Sequence, residues 1–371
     1  MMKANRIGIY VHVPFCVRKC SYCDFCSFPI GDTDWRGDYL DRLICEIESY
    51  GGQGICADTL FIGGGTPSLL SCDEFGRLVD TLRETFSFSA NTEFTVEVNP
   101  GTLTDEKLRS YVSRGVNRLS FGLQSIHENE LKILGRIHTF DDFLSAFALA
   151  RKHGIENINV DIMYGIPEQT AASFSETVER VISLCPEHIS AYGLILEENT
   201  PFWGIRDKLP LPTEDEECDM YYAAAKALSE RGYNHYEISN YSKPGCECRH
   251  NLKYWRKQEY IGLGLSAHSY FCGKRFCNAS DFTEYRSGGQ VSYEERTRES
   301  DVFEYAMLRL RLAEGFSLDE YRERFGIDFC ETRKDIIERL CEGGFATVKN
   351  GRICLTERGF YVSNAILSEL L

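Results

Sequence analysis

No run of about 18 consecutive apolar residues occurs in the chain, so no segment is suited to cross a bilayer as a helix. The opening residues, Met1-Met2-Lys3-Ala4-Asn5-Arg6, lead directly into a strand-like run and lack the apolar stretch of a signal peptide. These absences predict a cytoplasmic protein. There is no internal repeat and no low-complexity tract. Positive charge is scarce: 41 Lys and Arg stand against 56 Asp and Glu, a net charge of −15. Phosphate backbones repel such a chain, so nucleic acid is not expected as a partner. No amphipathic anchor is evident, which leaves membrane contact at most peripheral.

Cysteine, in contrast, is abundant, with 16 residues in a chain of 371. Without an export signal they read as reduced thiols, several of them buried, rather than as a disulfide framework. Hydrophobic content of 43% and charged content of 26% are those of an ordinary globular protein. The length suggests two domains, or one large α/β domain with appendages.

Strand-like and helical segments alternate. Ile7–Val13, Thr59–Ile62, Phe94–Val98, Asn117–Leu123, Asn157–Met163 and His188–Leu194 read as strands. Asp34–Tyr50, Thr104–Arg114, Phe140–His153 and Ala171–Leu184 read as helices between them. Six βα units predict a parallel sheet, either an open doubly wound sheet or a partial (β/α)6 TIM-like barrel. Ligands bind at the carboxyl ends of the strands in both. After Pro210-Leu211-Pro212 a long helix is expected over Asp215–Arg231, then a strand over Gly232–Asn240. The last ~70 residues read as helix, helix and a hairpin turning at Asn350-Gly351, a C-terminal α+β, winged-helix-like region. Three regions are expected: 1–200 as the core, 201–290 as a barrel extension and 291–371 as the C-terminal domain.

Cys16, Cys20 and Cys23 follow the first strand with the spacing C-x3-C-x2-C. Three thiolates from one loop suit a [4Fe–4S] cubane with one iron left open for a small molecule. Structural zinc needs a closed set of four, for which Cys26 or His12 is available. Gly63-Gly64-Gly65-Thr66-Pro67 at the second strand's end lets backbone approach a ligand closely, and Thr66 adds a hydroxyl. The Cys loop, this turn, Glu97, Gln124 and Asp161 all fall toward carboxyl ends of strands, so they are expected to share one mouth.

The Cys loop followed by the Gly-rich turn resembles the radical S-adenosylmethionine (SAM) superfamily. The finer pattern, from Tyr10-Val11-His12-Val13-Pro14-Phe15 to His250-Asn251-Leu252-Lys253-Tyr254-Trp255, is similar to the oxygen-independent coproporphyrinogen III oxidase-like group and, within it, to the HemW-type haem chaperones. The resemblance runs along essentially the whole chain. It implies a radical SAM barrel, a [4Fe–4S] cluster on Cys16, Cys20 and Cys23, and SAM held by Tyr10, Tyr22, Gly64, Gly65, Thr66, Glu97, Gln124, Arg136 and Asp161. It further implies haem as cargo, with His250 as iron ligand, and haem-dependent acceptor proteins, such as a respiratory enzyme, as partners. The residues alone leave other readings of His250: a buried histidine capping a turn beside a packed Trp255, or a zinc ligand with Cys246 and Cys248. The oxidases of the group carry a further cysteine two residues after the third, where this chain has Phe25; Cys26 is one position out of register. That departure favours a haem chaperone over SAM-dependent decarboxylation of coproporphyrinogen III, the alternative, or over an enzyme acting on another tetrapyrrole.

Overall fold

A computed structural model describes residues 6–31, 35–288 and 291–371. The expected helix start at Asp34 and the opening residues 1–5 lie outside the described residues. Six strands, β1 (Ile7–Val13), β2 (Cys56–Gly64), β3 (Ser87–Val98), β4 (Arg118–Gln124), β5 (Asn157–Tyr164) and β6 (His188–Gly193), run parallel and pair in chain order. A doubly wound sheet reverses strand order at a switch point. Here the order of these six never reverses, so the arrangement is the barrel type of α/β fold.

Later strands extend both edges. β7 (Asn234–Glu237) and β8 (Asn240–Ser242) add beyond β6. β9 (Tyr260–Leu263) pairs parallel to β1 and is followed outward by β10 (His268–Phe271), β11 (Lys274–Cys277) and β12 (Ser292–Tyr293). The twelve strands form one sheet ordered β12-β11-β10-β9-β1-β2-β3-β4-β5-β6-β8-β7. Its two edge strands are not neighbours, so the barrel is partial. The single strand expected over Gly232–Asn240 is instead a hairpin, because the chain turns at Ile238-Ser239 and the pairing shifts register after Asn240.

Alternation along the strands separates two faces. Phe94, Val96 and Val98, then Leu119, Phe121 and Leu123, then Ile158, Val160 and Ile162 belong to the main hydrophobic core. The helices α1 (Arg36–Glu48), α2 (Cys72–Thr85), α3 (Asp105–Ser113), α5 (Phe140–Lys152) and α6 (Ala171–Ser183) cover that face; α4 (Glu128–Leu134) is a shorter insertion before α5. Several start at capping boxes, Ser71/Glu74 for α2, Thr139/Asp142 for α5 and Thr170/Ser173 for α6. The residues between the core positions are polar and face the concave side: Glu93, Thr95 and Glu97; Arg118 and Ser120; Asn159 and Asp161; His188 and Ser190. Register sets Glu97 beside Ser120, and Asp161 between Gly122 and Ser190. The polar groups thus gather on the lumen side of the strands, opposite the hydrophobic core under the helices.

The long helix α7 (Glu214–Glu230) begins at a Thr213/Glu216 capping box, and α8 (Arg249–Trp255) carries the His250 motif. The C-terminal region has its own core, including Tyr305, Phe316, Tyr321 and Phe329. It consists of α9 (Arg298–Arg309), β13 (Phe316–Ser317), α10 (Leu318–Phe325), α11 (Lys334–Glu342), the hairpin β14 (Ala346–Lys349) and β15 (Arg352–Leu355), and α12 (Ser363–Leu370). Asn350 and Gly351 both take positive φ at the hairpin turn, 52° and 70°, as a two-residue primed turn requires. Buried Lys257 ties this region to the sheet through Asp301 at 2.5 Å and Glu304 at 2.8 Å. All cysteines among the described residues are free thiols, but only Cys16 and Cys248 are buried, fewer than the sequence suggests. No helix among the described residues is long and apolar enough to cross a membrane.

Candidate functional site

A cavity opens at the carboxyl ends of β1 to β6. Cys16, Cys20, Cys23 and Tyr22 line it from the loop after β1, and Gly64, Gly65 and Thr66 from the end of β2. Glu97, Gln124, Arg136 and Asp161 complete the ring. The loop is braced from outside: Ser21 N–H donates to Leu134 O, and Phe202 N–H donates to Ser21 O, each at 3.0 Å. Tyr22 packs against a small satellite core containing Leu134, Met163, Ile166 and Phe202.

Each cysteine sulfur of the triad has a polar neighbour. Thr66 Oγ1 donates to Cys16 Sγ at 3.8 Å, Arg136 Nη1 donates to Cys20 Sγ at 3.6 Å, and Ser27 Oγ lies 3.9 Å from Cys23 Sγ. Burial pushes the Cys16 and Cys23 thiols up; a coordinated metal reverses that by deprotonating a thiol outright. Three sulfurs on one loop, each with a donor close by, fit a cubane, whose corners take one thiolate apiece. The two candidates for a fourth zinc ligand, Cys26 and His12, line the adjoining cleft rather than this cavity. Cys26 Sγ–H donates to Ser280 O at 3.7 Å. His12 donates from Nε2 to Cys26 O at 2.8 Å and accepts from Tyr10 OH at Nδ1, 3.0 Å.

The glycine turn has a different physical reason from the one its sequence suggests. A Cβ on Gly63 would meet Glu97 Oε2 at 2.8 Å, one on Gly64 would meet the His12 ring at 2.6 Å, and one on Gly65 would meet Phe15 O at 2.6 Å. The missing side chains therefore let Glu97 and the Cys loop close in on β2. Gly64 also has φ +111°, and its N–H donates to Glu97 Oε2 at 3.0 Å. Gly64→Ala is expected to cost about 2 kcal/mol of stability, from backbone strain and overpacking combined. Chemical denaturation measures this, with Gly37→Ala in α1, where a Cβ meets nothing within 4 Å and alanine is the better helix former, as a control that loses no stability.

Two half-buried carboxylates and one half-buried guanidinium set the charge of the cavity. Burial, then the neighbouring Asp161, pushes the Glu97 carboxyl up to about 7. Burial also raises Asp161. Asp161 Oδ1 accepts from Asn159 Nδ2 at 2.7 Å; Asn159 Oδ1 accepts from His188 Nδ1 at 2.6 Å; His188 Nε2 accepts from Tyr236 OH at 2.8 Å. This chain holds the Asp161 carboxylate in a fixed orientation. Burial opposes the charge on Arg136, but Tyr22 and Cys20 outweigh it and hold Arg136 above its ordinary value. Its Nη2 donates to Gly122 O at 2.5 Å, while its Nε is buried without a partner. The guanidinium lines the cavity as a charged group, the kind that pairs with an anionic ligand group. Gln124 has φ 73°, beside a register shift between β4 and β5. Such strain in a side-chain-bearing residue concentrates at functional sites.

Tyr10 and His250 stand apart from this cavity. Tyr10 lines an adjoining cleft, with its ring 6.1 Å from Phe61 and 6.4 Å from His250. His250 is 1% exposed. Its Nδ1 is 2.8 Å from Thr59 Oγ1 and its Nε2 is 2.7 Å from Tyr254 OH. Burial, with Lys253 and Arg118, lowers its pKa to about 3, so the ring is neutral. Both ring nitrogens are thus engaged in hydrogen bonds inside the protein, and His250 does not line the cluster cavity. Cys248, named with it as a zinc-ligand candidate, directs its Sγ to Glu93 Oε1 at 3.8 Å. Trp255 is half-buried, 5.7 Å from the Arg311 guanidinium. Sequence reasoning missed Tyr192, which lines the cavity and donates to Gln124 Oε1 at 2.8 Å. Its position at the end of β6, on the polar row, is the signal that could have found it.

Comparison with known proteins agrees with this architecture. Residues 10–181 match the Radical SAM superfamily, and residues 297–362 match the HemN C-terminal domain. The chain is 36% identical over 380 residues to the heme chaperone HemW of Escherichia coli (strain K12), covering 100% of both chains. It is 34% identical over 373 residues to the heme chaperone HemW of Bacillus subtilis (strain 168), covering 98% of each. Coproporphyrinogen III oxidase (HemN) from Escherichia coli, a radical SAM enzyme, superposes with a TM-score of 0.86 over 99% of this chain and 90% of its own, at 23% identity, a likeness of fold.

Proposed function

From a chain that belongs to the HemW family of the radical SAM superfamily, we propose a haem chaperone that holds a [4Fe–4S] cluster and SAM, binds haem and passes it to haem-dependent acceptor proteins. The observation that carries this reading is the end-to-end similarity to haem chaperones, 34–36% over nearly the full length of both chains. The superfamily implies the cluster and SAM. A bound cluster supplies one electron and an open coordination position.

The chain's own residues do the rest. Cys16, Cys20 and Cys23 hold the cluster, with Thr66, Arg136 and Ser27 placing donors on their sulfurs. Arg136 offers its guanidinium charge to the SAM carboxylate. Glu97 and Asp161 accept from the amine and ribose hydroxyls and attract the sulfonium charge. Tyr22 supplies a ring for the adenine, and Gln124, held by Tyr192, supplies an amide at the cavity wall.

This charge arrangement has a pH dependence. Glu97 titrates at about 7 in the ligand-free protein, and its ionised form is the one that attracts a cationic ligand. SAM affinity is therefore expected to rise with pH through 7, by about tenfold between pH 6 and pH 8. Calorimetric titration across that range tests it; a flat wild-type profile, or an equal slope in Glu97→Gln, contradicts it.

The chaperone is separated from the oxidase by one assay. Cluster-loaded protein is incubated without oxygen with SAM, a reductant and coproporphyrinogen III. No protoporphyrinogen IX is expected, and its catalytic formation would overturn the proposal.

A further inference from the structure

We propose that haem is held in the cleft adjoining the cluster cavity, with His268 and Cys26 as the iron-ligating side chains; this rests on the haem-chaperone reading above. The cleft measures about 380 Å³, within the roughly 300–1,000 Å³ of small-molecule sites. It shares Phe25 with the cluster cavity. That ring is 67% exposed, a large apolar group left uncovered at the common rim. Tyr254 and Tyr260 line the cleft and meet edge to face, their centroids 4.5 Å apart. Flat apolar macrocycles pack on such walls.

The ligands follow by elimination. Haem iron takes imidazole, thiolate or phenolate from a protein. Tyr10 OH is bonded to His12, Tyr254 OH to His250, and Tyr260 OH accepts from Arg275 Nη1 at 3.1 Å. His12 uses both ring nitrogens. His268 is exposed, and its ring makes no hydrogen bond among the described residues. Cys26 Sγ has its long contact of 3.7 Å to Ser280 O and a second with the Ser266 side chain, weak thiol contacts that a metal bond displaces. Next to His268, the turn that lines the cleft is strained: Ser266 has φ 58° and Gly264 φ 100°. A left-handed serine is tolerated where the surroundings over-determine it, and such positions cluster at ligand sites.

The His250 motif gains a defined task in this arrangement. His250 is a positioning residue: its bond to Tyr254 OH, and Thr59 behind it, set the ring that forms one wall. The motif touches haem through Tyr254, not through an imidazole–iron bond.

Haemin titration of cluster-loaded, full-length protein tests this, read by the Soret band. Wild type is expected to saturate. His268→Ala is expected to weaken binding at least tenfold and to change the ligand-field bands. The Cys26→Ser/His268→Ala double variant is expected to lose saturable binding, with iron content of the cluster unchanged as the check on folding. His250→Ala is expected to weaken binding less than about threefold. A double variant that binds within threefold of wild type overturns the site. Failure of wild type itself to bind haem overturns the chaperone reading instead, so the two failures are distinguishable.

Discussion

Replacing Cys20 by Ala is expected to strip the protein of iron, from about four atoms per chain to well under one, with loss of the brown cluster absorbance. A cubane on three thiolates cannot lose one of them and find a substitute here. Cys26 is the nearest spare thiol in sequence, but it faces the neighbouring cleft and is bonded to Ser280 O. Arg136 would also lose its sulfur acceptor, since its Nη1 donates to Cys20 Sγ at 3.6 Å. Cys26→Ala, by contrast, is expected to keep its full complement of iron. Iron and acid-labile sulfide assays on anaerobically reconstituted protein give the answer. An unchanged Cys20→Ala spectrum, or bound zinc in place of iron, would contradict the cluster assignment.

Arg136→Met should weaken SAM binding by about 30-fold or more while leaving the cluster in place. Removing one partner of a buried, hydrogen-bonded charge pair costs about 2–5 kcal/mol, and 1.4 kcal/mol is a factor of ten. Arg136 approaches that case: it is half-buried in the cavity wall, held charged by Tyr22 and Cys20, and anchored to Gly122 O. Methionine preserves most of the volume, so the brace at Leu134 to Ser21 survives. Arg136→Lys keeps the charge without the fork and is expected to fall between the two. Equilibrium binding of SAM, alongside iron content, separates ligand loss from cluster loss. Wild-type affinity in Arg136→Met would remove the guanidinium from the SAM site.

Much of this architecture was legible before folding. Ile7–Val13 has the same bounds in sequence and structure, because an uninterrupted alternating run ends at Pro14. The six parallel strands follow from apolar runs spaced by helical patterns, though only their pairing order decides between barrel and doubly wound sheet. β9 to β12 were missed because strands of two to four residues carry too little periodicity. Within the site, spacing along the chain identified Cys16, Cys20 and Cys23. It could not reveal that Thr59, 191 positions before His250, occupies one of its nitrogens, or that Tyr254 occupies the other. Burial of a histidine depends on strands packed from elsewhere in the chain. The glycine turn shows the same limit: its composition announced close approach, but the groups that approach are Glu97, His12 and Phe15.

The central claim is that this radical SAM fold carries haem. Haem titration of the wild-type protein, with the cluster intact and after its removal, tests it most directly. The expected result is a saturable Soret change at one haem per chain in the cluster-loaded form. A Soret signal that grows without saturation, as it does for haem added to buffer, would contradict it.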